Sequence, residues 1–257
     1  MMNLASLLQR HFGHPDFRPG QRAVVDHVVE GNHALVVMPT GHGKSLCYQL
    51  PALARQGTTI VVSPLIALMK DQVDALQAKN IAATSINSSL EWDERQRRIQ
   101  AMVNGQYQLV YVAPERFNDH FMAAVARTEI GLLAIDEAHC ISQWGHDFRP
   151  DYLRLGTVRD ALGTVPLIAL TATATPAVQD DILSQMGLPE ARRFVTGFDR
   201  ENLRLEVATP RTANSKHTML AGLLRSLPGL VYCATRKHVE AVTQTLRSQG
   251  IQAEAYH

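Results

Sequence analysis

Residues 34–45 read ALVVMPTGHGKS. The run Ala34, Leu35, Val36, Val37 and Met38 lacks the polar alternation of a half-exposed strand and suits one covered on both faces by helices. Pro39 to Ser45 then carry the chain through Gly41 and Gly43 into a helix. A strand, a glycine turn and a helix in that order form a phosphate-binding loop. Glycines let backbone N–H groups face phosphate oxygens, and the helix start adds a favourable dipole. Lys44 is placed to reach the terminal phosphates, and Ser45 to hold Mg²⁺. Thr40, Gly41, His42, Gly43, Lys44 and Ser45 are therefore candidate nucleotide-binding residues. The general pattern has glycine where this chain has Met38, and a chance glycine turn with a surface lysine is the alternative.

Further short apolar runs occur at residues 59–62, 109–112, 132–135 and 167–170, with helical patterns between them. That alternation predicts a parallel α/β sheet with helices on both faces. Ligands of such sheets sit at the carboxyl ends of the strands. Ser63, the segments 114–116 and 136–139, and the segment 171–173 all follow directly on an apolar run. They are thus expected along one edge of one sheet.

The second chemistry-bearing segment is Asp136, Glu137, Ala138 and His139, delivered by Leu132 to Ile135. Asp136 would hold Mg²⁺ through its water shell, and Glu137 could orient or deprotonate an attacking water. The bland alternative is an acidic helix start capping the next element. Upstream, a Gln21 amide can pair with an adenine edge beside flat groups such as His14, or it can simply face solvent at a helix start. Downstream, the loop 141–150 mixes Gln143, Trp144, His146, Phe148 and Arg149 with Gly145 and Pro150. Trp144 and Phe148 could stack on unpaired bases or pin the loop to the core. No spacing supports His139 or His146 as metal ligands. The run Glu94, Arg95, Gln96, Arg97, Arg98 reads as a solvated helix face.

Bulk properties add limits. The 257 residues carry 25 Lys and Arg against 24 Asp and Glu, a formal charge of +1, so no global field announces a polyanion or a membrane. Three widely separated cysteines, Cys47, Cys140 and Cys233, suit a reducing cytosol rather than a disulfide framework. No stretch reaches the apolar length of a membrane span. A domain boundary is expected near residues 197–202, giving a first domain over 1–200. Over 201–257, apolar runs at 203–207, 230–233 and 251–255 predict a restarted β-α-β-α-β pattern that is short for an independent domain.

Together these segments resemble superfamily 2 helicases, and most closely the RecQ family. Phe12 to Gln21 looks like the adenine-reading motif zero, with Arg18 and Gln21 in place and His14 where a tyrosine is usual. Residues 38–45 resemble motif I in a form that tolerates the missing glycine. Residues 62–73, with Ser63, Pro64, Lys70 and Gln72, resemble the DNA-tracking motif Ia, and residues 113–116, with Glu115 and Arg116, resemble motif Ib. Residues 136–139 are similar to motif II, which adds His139 to Lys44, Asp136 and Glu137 as catalytic residues. The loop 141–150, with Gln143, Trp144, His146, Phe148 and Arg149, looks like the aromatic-rich loop that couples DNA contact to hydrolysis. Residues 170–173, with Thr171 and Thr173, resemble motif III, and 232–236 motif IV. RNA helicases of the DEAD and DEAH groups carry Ser-Ala-Thr at motif III and lack the Trp144 loop, so DNA is the implied substrate.

The resemblance implies a RecA-like P-loop domain followed by an incomplete second one, with motifs V and VI beyond His257. It also implies ATP and Mg²⁺ as cofactors, single-stranded and duplex DNA as partners, and a cytoplasmic role in DNA recombination and repair. Translocation would run 3′ to 5′, with weak activity from these 257 residues alone. Two other readings stay open: a different P-loop ATPase, and a nucleotide-dependent DNA-binding module without helicase activity.

Overall fold

The computed structural model of the chain describes residues 3–145, 147–196, 203–226 and 228–257. Seven strands form its sheet: β1 (Ala34–Val37), β2 (Thr58–Val62), β3 (Ala83–Ile86), β4 (Leu109–Val112), β5 (Ile130–Ile135), β6 (Leu167–Thr171) and β7 (Arg192–Val195). They lie in the order β3-β4-β2-β5-β6-β1-β7, and every pairing is parallel. Parallel neighbours need crossover connections, which explains why helices separate nearly all the strands and cover both faces.

Alternation along each strand divides the core into two layers. Leu35, Val37, Ile60 and Val62 face one side, where α5 (Trp92–Val103), α6 (Asp119–Val125), α7 (Leu155–Leu162) and α8 (Pro176–Gln185) contribute Met102, Phe121, Leu155 and Ile182. Ala34, Val36, Met38 and Val61 face the other side, against α2 (Gln21–Val29), α3 (Leu46–Ala54) and α4 (Ile66–Gln77). The amino-terminal helix α1 (Leu4–Leu7) runs into a π turn at Leu8–Phe12, and Leu4 and Leu8 pack with Val25 and Leu50. Met38 is fully buried in the second layer, so the residue that departs from the glycine pattern works as core.

Two strands carry no clear sequence signal. In β3 the segment Ala83-Thr84-Ser85-Ile86 is buried although half of it is polar, because Thr84 and Ser85 are enclosed by β4 and the flanking helices. The edge strand β7 begins with Arg192 and Arg193 and is largely exposed, the charged kind of edge that discourages pairing with another chain. The order β2-β5-β6-β1 sets the carboxyl ends of these four strands side by side. The phosphate loop, residues 171–173, residues 136–139 and Ser63 therefore share one rim.

The chain divides into two compact units, Met1–Asp199 and Arg200–His257. The expected boundary at 197–202 lies outside the described residues. In the second unit, α9 (Ala213–Leu224) starts at a capping box formed by Thr212 and Ser215, and α10 (Arg236–Ser248) starts at Thr235. The strands expected at 203–207, 230–233 and 251–255 do not form: these residues make no strand pairing, and Leu205, Val207, Leu230 and Tyr232 are exposed. β-branched and aromatic residues favour a strand only when a neighbour takes up the backbone groups and the side chains are covered. Among the described residues no helix is long and apolar enough to cross a membrane.

Candidate nucleotide site

The phosphate loop leaves β1 with Gly41 and Gly43 both in the left-handed region, at φ +85° and +80°. Only glycine adopts such angles without strain, and a side chain at position 43 would also collide with the Gln21 amide. Thr40, Gly41, Gly43, Lys44 and Ser45 line a cleft of about 420 Å³ together with His14, Arg18, Gln21, Asp136 and Glu137. His42 stands in the same loop, with a buried ring Nδ1 that has no hydrogen-bond partner.

Gln21 is neither solvent-facing nor idle. It is buried, and its amide nitrogen donates to the His42 and Gly43 carbonyls, each at 3.1 Å. Its amide oxygen accepts the Arg18 backbone N–H at 2.8 Å, while the Arg18 guanidinium donates to the Gly41 carbonyl. The segment before α2 thus clasps the phosphate loop through its backbone, which is the structural reason a glutamine sits at that helix start.

Asp136 follows β5, tied by its backbone N–H to the Val62 carbonyl at 2.8 Å. Its Oδ1 accepts the Glu137 N–H at 3.0 Å. Burial, reinforced by the neighbouring Glu137 carboxylate, pushes its pKa up to about 6, against the pull of Lys44 and His139. Two carboxylates partly withdrawn from water beside a lysine make a pocket short of positive charge, so the residues present fit a divalent cation. Glu137 adopts φ +49°, an uncommon angle for a residue with a Cβ, and this backbone twist turns its side chain toward His139. His139 Nδ1 lies 3.3 Å from Glu137 Oε2 and 2.9 Å from Thr171 Oγ1. The Thr171 hydroxyl in turn donates to the Thr173 carbonyl at 3.1 Å and accepts the Thr173 N–H.

The remaining sequence candidates are distributed along the same rim. Ser63 is buried at the end of β2, and Pro64 offers its carbonyl to Arg149 at 3.4 Å. Lys70 is exposed on α4 and pairs with Asp74 at 2.6 Å. Gln72 lines the nucleotide cleft and accepts from the Gln49 amide of α3 at 2.9 Å. Glu115 is exposed, and Arg116 is half-buried in a 3-10 turn after β4. His146 lies outside the described residues. Trp144 is 79% exposed and Phe148 half-buried, so Trp144 does not pin its loop to the core. Tyr152 does so instead: it is fully buried, and its hydroxyl donates to the Asp136 carbonyl at 3.1 Å. Arg149 is held by Asp147 at 2.9 Å. The Glu94 segment behaves as a solvated helix face, with Glu94 paired to Arg97 and Arg98. Leu68, within the segment 62–73, also lines the cleft from α4. Sequence reasoning missed Asp181, which bonds the loop from α8 and lies in no recognisable motif.

A phosphate loop after β1, an acidic pair after β5 and a threonine after β6, on adjacent parallel strands, define a RecA-like nucleotide-binding domain. Residues 18–182 match the DEAD/DEAH box helicase family, and the chain belongs to that family. Among the proteins it is similar to are RecQ helicases. It is 44% identical over 253 residues to the ATP-dependent DNA helicase RecQ of Haemophilus influenzae, covering 98% of this chain and 41% of the relative. It is likewise 44% identical over 255 residues to the RecQ of Bacillus subtilis, covering 98% of this chain and 43% of the relative. The chain thus spans about two-fifths of the length of these relatives. In fold it is similar to the DUF1998 helicase MrfA, with a TM-score of 0.70 at 16% identity over 96% of this chain and 40% of that one. It is also similar to the Hef helicase domain of Pyrococcus furiosus, with a TM-score of 0.57 at 18% identity over 91% of this chain and 53% of that one.

Proposed function

We propose that this chain is the nucleotide-hydrolysing part of a RecQ-type ATP-dependent DNA helicase, with residues 1–200 as the ATP-binding domain and 201–257 as the start of a second. The observation that carries the reading is the meeting of Lys44, Asp136 and Glu137 at one cleft, with Tyr152, just past the Trp144 loop, bonded to the Asp136 carbonyl.

In this reading Lys44 and the loop's N–H groups take the β and γ phosphates, and Gln21 and Arg18 hold the loop in shape for them. His14 offers a ring beside the base. Ser45 and Asp136 would hold Mg²⁺, which when bound neutralises phosphate charge. Glu137 orients the attacking water and accepts its proton. His139, held by Thr171, keeps the Glu137 carboxylate in place. Ser63, Pro64, Lys70, Glu115, Arg116 and the loop residues Gln143, Trp144, His146, Phe148 and Arg149 would face single-stranded DNA, with Thr171 and Thr173 passing its arrival to the cleft. Travel from 3′ to 5′, unwinding of duplexes, and a lower rate for these 257 residues than for a full-length relative belong to the same proposal. So does a cytosolic setting, supported by three unpaired cysteines.

The test is steady-state ATP turnover with Mg²⁺, with and without an oligothymidylate. DNA-stimulated turnover supports the motor. ATP binding with no turnover would favour a nucleotide-dependent binding module, and turnover indifferent to DNA would favour another P-loop ATPase.

A further inference from the structure

The Trp144 ring is 79% exposed, so the backbone of its turn does most to place it, and one buried side chain bonds that backbone. Ser142 is fully buried two residues earlier. A serine hydroxyl has one proton and can accept through its lone pairs. Here the proton goes to Asp181 Oδ2 at 2.6 Å, and the oxygen accepts the Trp144 N–H at 3.2 Å. The turn is closed by the Gly145 N–H on the Ser142 carbonyl at 3.0 Å. It is so tight that a side chain at position 145 would strike the His139 and Ser142 carbonyls. A short O–H to carboxylate bond is among the stronger kinds of hydrogen bond, so the turn hangs on Asp181.

Asp181 belongs to α8, whose start is fastened to the end of β6. Thr175 caps the helix, and the Gln179 amide donates to the Ala174 carbonyl at 3.0 Å, just past Thr173. Ile182 and Leu183 seat the helix in the core beside Asp181. One rigid element therefore joins the strand end that holds His139 to the turn that carries Trp144. Between them lies a mostly apolar crevice of about 520 Å³, with Trp144 on one side and Thr173, Pro176 and Gln179 on the other.

We infer that Asp181 is a positioning residue: through Ser142 it fixes the Trp144 turn against α8, and it thereby sets how strongly DNA stimulates hydrolysis without entering the nucleotide site. The stimulation half rests on the helicase reading above; the anchoring half does not.

The chain has two tryptophans, so Trp92→Phe leaves Trp144 as the only tryptophan, excited selectively at the red edge where tyrosine does not absorb. In that background Asp181→Ala, Asp181→Asn, Ser142→Ala and the Asp181→Ala, Ser142→Ala double variant are compared by time-resolved Trp144 anisotropy and melting temperature. ATP turnover with and without oligothymidylate completes the set. Asp181→Ala should enlarge the nanosecond depolarisation of Trp144 and lower DNA-stimulated turnover by roughly threefold or more, a size expected for coupled neighbours. DNA-free turnover should stay within about twofold, since the nucleotide groups are untouched. Asp181→Asn should restore most of both, because its amide oxygen still accepts, and the double variant should resemble either alanine variant. Unchanged Trp144 anisotropy in Asp181→Ala and Ser142→Ala, or additive effects in the double variant, would overturn the anchor. A lowered melting temperature with stimulation intact would overturn the positioning role and leave Asp181 a helix-stabilising residue. Absence of DNA stimulation in the unsubstituted chain would count against the helicase reading, while the anisotropy comparison would still decide whether Asp181 holds the turn.

Discussion

His139 donates to Thr171 at 2.9 Å across 32 positions of sequence, joining the segment after β5 to the end of β6. The Thr171 hydroxyl spends its own proton on the Thr173 carbonyl, so the shared proton sits on His139 Nδ1, where Glu137 also draws it. Thr171→Val keeps shape and removes the acceptor. The expected result is a fold destabilised by about 1 to 2 kcal/mol and a turnover number reduced about tenfold, with little change in the KM for ATP, as for a lost buried hydrogen bond near a catalytic group. Steady-state kinetics with thermal unfolding checks this. Wild-type turnover in Thr171→Val would remove the link from the mechanism.

Asp136 gives a pH signature in the nucleotide-free, metal-free protein. Its folded pKa is pushed up to about 6, above that of an unfolded aspartate, so the folded state holds the proton more tightly. The stabilisation is fully present below about pH 4 and is lost as the pH rises through about 6. The loss should be about 1 to 2 kcal/mol once solvent near a partly buried carboxylate is allowed for. Unfolding in EDTA across that range should show the fall. Asp136→Asn should flatten it and be the more stable protein at pH 7, while losing Mg-dependent turnover. A profile identical in Asp136→Asn and the unsubstituted chain would remove Asp136 as its source.

The sheet and its rim were legible because buried parallel strands leave unbroken apolar runs, each ending in a polar segment of constrained composition. Ala34 to Val37 before Gly41 and Lys44 is such a case. The strand β3 was not legible, since Thr84 and Ser85 are enclosed by tertiary neighbours that no local pattern announces. At residues 203–207 and 230–233 the error went the other way: strand propensity is present, but pairing is absent. Among site residues, Gln21 was recognised as an adenine-edge candidate but not as a clasp on the loop, because its partners there are backbone carbonyls more than 20 positions away. Asp181 had no signal at all, since a lone carboxylate in a helix looks like surface until Ser142 is found beneath it.

Lys44 and Glu137 should separate by kinetics. Lys44→Ala removes the cation facing the terminal phosphates, so both Mg-ATP affinity and turnover should fall, the rate by about 10² or more. Glu137→Gln keeps its shape while losing basicity, so ATP should stay bound within a few-fold and hydrolysis should nearly stop. Titration with a non-hydrolysable analogue, beside single-turnover rates, distinguishes the two. Hydrolysis at the wild-type rate in Glu137→Gln would move water activation to another residue.

Trp144 is 79% exposed, so Trp144→Ala should leave the melting temperature within about 1 to 2 °C, as for a surface change. Nucleotide affinity should also hold, while affinity for oligothymidylate falls by about tenfold, the cost of losing one base stack. A collapse of thermal stability would instead show that the ring packs in solution.

Gln21 joins the fold and the chemistry most closely, and its substitution separates two roles. Its amide nitrogen satisfies two carbonyls of the phosphate loop and its oxygen satisfies the Arg18 N–H, all in a buried position. Gln21→Ala leaves these three groups without their partner. The nucleotide-free protein should therefore lose about 1 to 3 kcal/mol, the usual cost of buried polar groups left unmet. Gln21→Glu should do worse, since it sets a carboxylate against two carbonyl oxygens with no proton to offer. If the clasp were the whole role, ATP and GTP would lose affinity in equal proportion. If the amide also reads the adenine edge once nucleotide is bound, ATP should lose more than GTP, because GTP presents a different donor and acceptor pattern. Both effects are expected: a lower melting temperature without nucleotide, and a smaller ATP over GTP preference in the same variant. Thermal unfolding without ligand and competition binding with the two nucleotides measure them independently. Unchanged stability with lost discrimination would mean that the amide leaves the loop in solution, and lost stability with unchanged discrimination would confine Gln21 to the clasp.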